Sequence, residues 1–453
     1  MDPINPPPGQ ALTRRSALQR GLLGAAGLII ADRLSLRLLA DASTPPAPKP
    51  EAKARAFIQI WLAGGACHLD TFDPKPEAGN DYCGPFKTPV TTNVAGIRVC
   101  ELLPLLARQA DQYALIRSLT HGVNAHETAS YMVQTGRMAG GRDVFPGIGA
   151  VVSLFRGYDA GYRGLIPPYL VLTEPQGRFS EAGFLGPRYQ PFATGGDPAR
   201  TPFAVEGVVA PGISEQRQRS RRELLGRLNT LAQTMPRDAR LTELAQAETQ
   251  AYDLILGDAG KVFDLSQEKN ELRERYGRNT FGQSCLMARR LVERGVPYIT
   301  INDRRWDTHK QHFQAMRRFL PELDKGLSTL LQDLADRGLL ASTIVWCSGE
   351  FGRTPRIQWE APWNGGRGHY GKVFSGLVAG GGFKGGSVVG ASDATGEEVK
   401  ERPVYPGDLI GTFYELLGID REARLPHPEG LLVRAAPSAE EGLKLAGRLK
   451  EIT

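Results

Sequence analysis

Apolar positions along this chain fall into blocks of two kinds. Short runs that are apolar almost throughout, at 56–63, 113–119, 168–173, 297–302, 343–347 and 373–379, read as strands buried on both faces. Between them, apolar residues recur at helical spacing over 102–112, 127–135, 270–294, 312–337 and 406–417. Alternation of this kind predicts one α/β domain over 56–435, a mostly parallel sheet with helices on both faces. Ligands of such sheets bind beyond the carboxyl ends of the strands, so the residues just after each strand matter most. The segment 214–258 departs from the pattern; it is charged and nearly strand-free, and predicts a helical hairpin inserted at the rim. Residues 436–453 are expected to form a C-terminal tail.

The N-terminus has a different character. Arg14 and Arg15 precede an apolar run, Gly21 to Ala31, that is far too short to span a bilayer. Ala40-Asp41-Ala42 offers a small-x-small cleavage site. Residues 1–42 thus resemble a twin-arginine export signal, with the export machinery as a partner and a periplasmic or secreted mature protein. A retained amphipathic anchor is the other reading, because Leu34 to Leu39 stays largely apolar after Asp32-Arg33. Residues 43–55, with Pro45, Pro46, Pro48 and Pro50, read as a tether. The mature chain shows no transmembrane stretch in its sequence.

Composition adds limits. At 453 residues, 41% hydrophobic and 23% charged, the chain is neither disordered nor fibrous. Its 53 glycines and 32 prolines predict long loops, where function tends to lie. The net charge of +6 does not point to nucleic acid. Removing the five arginines and three aspartates of 1–42 leaves 50 basic against 46 acidic residues. The run from Arg217 to Arg227 carries Leu224 and Leu225 at helical spacing and reads as a solvated helix face. Five cysteines without CxxC spacing exclude a disulfide scaffold and a cysteine zinc site, although Cys83 and Cys100 bracket a loop and could pair. Gly380-Gly381-Gly382 lacks the GxGxxG spacing of a dinucleotide loop and reads as a tight turn, which weakens a redox reading.

Candidate chemistry gathers after the strands. The first strand runs into Gly64-Gly65-Ala66-Cys67-His68-Leu69-Asp70, and the second is followed by His121 and His126. The strand at 297–302 leads to Arg304-Arg305-Trp306-Asp307-Thr308-His309, with His312 close behind. The strand at 343–347 leads to Glu350 and Arg353, and His369 precedes the next strand. Six of the seven histidines therefore lie near strand ends, beside Asp70, Asp307 and Glu350. Imidazole with carboxylate is a donor set for zinc, manganese or similar divalent ions. One such residue alone is more often a helix cap or a hydrogen-bonded surface group. Their co-location is the signal.

The segments GGACHLDTFDPKP, HETASYMVQTGR, WDTHKQHF, SGEFGRTP and GRGHYGKVFSGLVAGGGFKGG resemble the domain-of-unknown-function family 1501, in the expected order from Phe57 to Asp420. That family is grouped with the alkaline phosphatase and sulfatase superfamily, so the resemblance implies a three-layer sandwich around the sheet. It also implies roles. Asp70 would be the first-strand carboxylate ligand, Asp307 and His309 would serve a second metal, and His369 would be the late histidine ligand. Thr135-Gly136-Arg137 would be the signature nine positions after the nucleophile, which places His126 where the superfamily has Ser, Thr or a modified Cys. Glu350 would stand for the Asp of an Asp-His pair, with Phe351 in place of the His.

Two departures follow. His126 is neither hydroxyl nor thiol, so a covalent phospho- or sulfo-enzyme is in doubt. Phe351 removes a ligand, so a full pair of metal sites is in doubt as well. His126 could ligate, attack or act as a base, while Thr128 and Ser130 are displaced-nucleophile candidates, Ser130 sharing a helix face with His126. Arg137 reads as structural. The leading expectation is a metal-dependent hydrolase of phosphate or sulfate esters, small or glycan-borne, with one or two ions (Zn, Mn, Ca or Mg). Asp70, Glu350 and His126 would hold one ion, and Asp307, His309 and His369 the other, with Arg304, Arg305 or Arg353 neutralising the anion. The competing expectation is a catalytically degenerate member that binds sulfated or phosphorylated glycans or a protein partner.

Overall fold

The computed structural model describes residues 51–177, 181–201, 203–205, 216–217, 219–220, 223–224 and 259–453. The expected export segment, residues 43–50 of the tether and nearly all of the 214–258 insertion lie outside these residues.

Eight strands form the central sheet: β1 (Ala56–Leu62), β2 (Tyr113–Leu119), β3 (Tyr169–Leu172), β4 (Phe192–Ala193), β5 (Tyr298–Asp303), β6 (Thr343–Ser348), β7 (Phe374–Ala379) and β8 (Ser387–Val389). Their order across the sheet is β8-β2-β7-β6-β1-β5-β3-β4. All pairs are parallel except those made by β7, which runs antiparallel between β2 and β6. The sheet is mostly parallel, as the apolar blocks predict.

Strand β1 shows why the domain has three layers. Successive side chains of a strand face opposite ways. Ile58, Ile60 and Leu62 enter one core, shared with α4 (Thr280–Glu293) and α5 (His312–Asp336) through Leu286, Leu291, Leu320 and Leu327. Phe57 and Trp61 enter the other, shared with α2 (Ile148–Arg156) and α6 (Pro406–Leu416) through Val151, Val152, Ile410 and Phe413. A strand covered on both faces must be apolar throughout, and β1 is wholly buried.

Several boundaries differ from the sequence pattern. The periodic stretch 270–294 is two helices, α3 (Asn270–Tyr276) and α4. Gly277 takes φ +94° and Asn279 caps α4 by accepting from the Gly282 N–H, which ends one helix and starts the next. The stretch 102–112 supports only Pro104–Ala107 and a 3-10 turn at Ala110–Gln112, since Pro104 fixes the start. Residues 436–453 are no free tail, because Leu449 and Ile452 are buried in the α6-side core. All five cysteines are free and buried, so the possible Cys83–Cys100 pair is not formed. Among the described residues no helix is long and apolar enough to cross a membrane.

Candidate metal centre

The carboxyl ends of β1, β5 and β6 lie side by side, since β1 pairs with both neighbours in parallel. Their following loops therefore rise from a common edge. The loop after β2 joins them through α1 (His126–Thr135), whose first residue is His126. His369 arrives on a two-stranded hairpin in which it pairs with Arg353.

These loops bring His126, Asp307 and His369 together, each offering one donor atom, all within 4.8 Å of one another. His126 Nε2 lies 3.4 Å from Asp307 Oδ2, and His369 Nε2 lies 3.2 Å from Asp307 Oδ1. His309 completes the group, its Nε2 being 2.8 Å from His369 Nε2 and 3.1 Å from Asp307 Oδ1.

The outer nitrogens of two of these rings are fixed. His369 Nδ1 lies 2.8 Å from the Asn124 carbonyl, which can only accept, so Nδ1 carries the proton. His126 Nδ1 lies 2.7 Å from Glu350 Oε1, and Glu350 is held in turn by the Gly64 N–H at 2.9 Å. With those protons outward, both Nε2 atoms turn toward the Asp307 carboxylate, and His369 Nε2 also meets His309 Nε2 at 2.8 Å, a contact that needs the His309 proton or a cation between them. Lone pairs facing a carboxylate repel unless a cation or a proton sits between them. Outer acceptors of this sort orient histidines that ligate metals.

The electrostatics differ from group to group. The hydrogen bond from Glu350 raises the His126 pKa above its ordinary value, with the charges of Glu350 and Asp307 adding to it against the opposing effect of burial. Burial works against ionisation of Asp307, but the hydrogen bond and charge of Arg353 prevail and hold its pKa at about 2. Burial, then the charge of Arg353, lowers the pKa of His309. Glu350 Oε2 is buried and has no hydrogen-bond partner among the described residues, which leaves an acceptor beside the cluster.

Asp70 is elsewhere. It is fully buried, its Oδ2 ion-paired to Arg367 Nε and to His312 Nε2, each at 2.8 Å, and its Oδ1 3.1 Å from Arg367 Nη2. Burial opposes its ionisation, yet the Arg367 charge lowers its pKa overall. His312 has its pKa lowered by burial, and its Nδ1 takes the Thr308 hydroxyl at 2.6 Å. With both oxygens occupied, Asp70 ties the loop after β1 to the loop after β5 and to the segment that carries His369. Sequence reasoning passed over Arg367 and gave His312 no role. Neither has a local signal, since their partner lies more than 200 residues away.

The three arginines expected to clamp an anion are engaged with other groups. Arg353 is buried against the Gly64 and Gly65 carbonyls and the Asp307 carboxylate. Arg305 pairs with Asp303 and Glu322. Arg304 pairs with Glu174, at a separate cleft between the ends of β5 and β3. Thr128 is half-buried and Ser130 buried, and neither hydrogen-bonds a clustered side chain among the described residues. Phe351 stacks on His369 at 4.7 Å and lies 5.0 Å from the His126 ring, supporting both where a ligand was expected. Arg137 bonds Glu441 at 2.6 Å and the Arg434 carbonyl at 2.8 Å, the structural role its sequence context suggests.

Among curated proteins no sequence matches this one. Solved structures with some similarity include the lipoteichoic acid synthase LtaP from Listeria monocytogenes, at 10% identity and TM-score 0.38 over 87% of this chain and 78% of that one. The PsFucS1 sulfatase from Pseudoalteromonas sp. shows 14% identity and TM-score 0.35 over 90% and 76%. The phosphonate monoester hydrolase SpPMH from Silicibacter pomeroyi shows 12% identity and TM-score 0.30 over 86% and 78%. Residues 54–442 match the family model described as "Protein of unknown function (DUF1501)", and the chain belongs to that family.

Proposed function

We propose that this protein is an exported hydrolase of phosphate or sulfate esters that uses one divalent cation held by His126, Asp307 and His369. The observation that carries the reading is the convergence of one donor atom each from His126, Asp307 and His369 within 4.8 Å of one another, with the outer nitrogens of both imidazoles held by acceptors. Two nitrogens and one oxygen suit zinc or manganese in particular. Asp70 fits no second ion, because Arg367 and His312 already occupy its oxygens.

A cation bound there would polarise the ester oxygen and lower the pKa of a bound water. The protein supplies the remainder. Glu350 fixes the His126 ring through Nδ1, and Asn124 fixes His369. We assign His309 the proton of the attacking water, because burial and Arg353 lower its pKa and a cation on His369 Nε2 would end the 2.8 Å contact that His309 Nε2 makes there. Helix α1 opens at His126 without a side-chain cap, so its free N–H groups and positive end adjoin the cluster. That end stabilises the ester anion in place of the engaged arginines. Thr128 and Ser130 lie outside the cluster's hydrogen bonds, so attack is by water and no covalent enzyme forms.

The test is elemental analysis of the purified full-length chain grown with Zn, Mn, Ca and Mg, joined to a panel of phosphomonoester, phosphodiester and sulfate ester substrates. The account expects about one equivalent of metal and turnover of one ester class. Metal-free protein after every growth sinks it. Metal with no turnover supports the second reading, a degenerate binder, which the engaged arginines favour. Export rests on Arg14-Arg15 and the apolar run behind them. A reporter fused to residues 1–42 should reach the periplasm, and should stay in the cytoplasm when both arginines become lysine. Retention of the unaltered fusion would defeat the proposal.

A further inference from the structure

Beside the metal centre, on the far side of the hairpin that carries Arg353 and His369, lies a second recess of about 530 Å³. Its most unusual wall is Trp359, 42% exposed. A single exposed apolar side chain is ordinary on a protein surface; what sets this one apart is its backing. The indole lies near-parallel to Phe313, with centroids 5.9 Å apart and planes at 22°. Phe313 packs edge-on against Phe86 at 5.4 Å, so the backing is firm. Gly365, at φ +81°, also backs the ring, and a Cβ there would stand 3.2 Å from it. The indole is thus a supported plate, covered on one side and open on the other.

The rim is polar and part of it is unspent, while Thr354, Tyr370 and Glu397 on its other side are already hydrogen-bonded. Asp81, Arg356, Gln358 and Glu360 line the recess, and among the described residues none of their side chains makes a hydrogen bond or ion pair. Tyr370, the neighbour of His369, also lines the recess and donates its hydroxyl to the Glu397 carbonyl at 2.6 Å. The combination narrows the ligand. An anionic group would meet the Asp81 and Glu360 carboxylates. An ammonium group would meet the Arg356 guanidinium, and it needs no donors. A ring bearing hydroxyls both gives and accepts hydrogen bonds and presents a C–H face to an indole.

We propose that this recess is a subsite for an uncharged sugar ring, next in the chain to the ester-bearing unit that the metal centre attacks. The proposal rests on the hydrolase reading and names its substrate class, a glycan. It assigns Trp359 the stacking surface, and Asp81, Arg356, Gln358 and Glu360 the hydroxyl contacts.

The experiment uses the full-length protein and neutral trisaccharides of glucose, galactose, mannose, xylose and N-acetylglucosamine as probes, followed by tryptophan fluorescence and saturation-transfer NMR. At least one should bind, with its ring C–H protons saturated. Trp359→Ala should bind roughly tenfold more weakly or not at all, and Trp359→Phe should recover part of the loss. Arg356→Ala is a second, exposed variant that should also weaken binding. Circular dichroism would establish that each variant is folded. Binding of no trisaccharide, binding indifferent to Trp359, or binding of choline chloride in their place would each overturn the proposal. Metal content measured on the same sample keeps the two readings apart. Metal without sugar binding removes only the subsite, and sugar binding without metal removes only the hydrolase.

Discussion

The molecule builds two clusters from aspartate, histidine and arginine, and they behave in opposite ways. Around Asp70, all three side chains are buried, and the carboxylate oxygens are used up by Arg367 and His312. Around Asp307, the carboxylate is nearly half exposed, and three imidazoles turn toward it. The first cluster is closed. The second is open to solvent. Residue type does not separate them, and both carboxylates meet an arginine; solvent access does. One cluster therefore fastens loops, and the other is the one to which the proposed chemistry is assigned.

The widest predicted contrast is catalytic. His309→Ala should keep its metal and lose roughly 10²- to 10⁴-fold in kcat, the usual scale for removing a general base. Loss of metal in that variant would move His309 into the ligand set. Next is Asp70→Asn, which leaves Arg367 buried without its counter-charge. It should cost about 3–5 kcal/mol of stability by denaturant unfolding. A variant of wild-type stability that instead lost its metal would merge the two clusters. Glu350→Gln should weaken metal binding roughly 10- to 100-fold without changing the fold, since Glu350 orients His126. Unaltered affinity in a competition titration would deny it that role.

Acid should also separate the clusters. The Asp70 pKa is depressed, so its stabilisation is present above the unfolded value of 3.8 and is lost only as pH falls through the lower folded value. His126 is shifted the other way, its pKa raised above 6.5, so protons compete with a cation from a higher pH downward. As pH falls, metal should therefore leave first, beginning above the ordinary histidine value of 6.5, while the fold persists to below the ordinary aspartate value of 3.8. Simultaneous loss of metal and structure would contradict this order.

Much of the fold was legible because buried parallel strands are apolar on both faces. The run at 113–119 is strand β2 to the residue, and 343–347 is β6 less one position. Helix ends were less legible where one glycine or proline overrides periodicity, as at Gly277 and Pro104. The short edge strands β4 and β8 carry too few residues to show a pattern. At the site, His126, Asp307, His309, Glu350 and His369 were readable because each sits just beyond a strand, or on the hairpin before one, at a shared edge. Asp70 sits in a similar position and does another job. Its partners come from remote loops, and spacing along the chain cannot show that its oxygens are taken. The same limit applies to Arg304 and Arg305, whose carboxylate partners are Glu174, Asp303 and Glu322. The buried course of Leu449 and Ile452 had no periodic signal either.

The central claim is that the open cluster, and not the closed one, holds a cation. Anomalous diffraction from crystals of the full-length protein grown with zinc or manganese, recorded at the metal's absorption edge, addresses it directly. The account predicts one strong peak within coordination distance of His126 Nε2, Asp307 and His369 Nε2, and none at Asp70. A peak bound to Asp70, or no peak at either cluster, would contradict it.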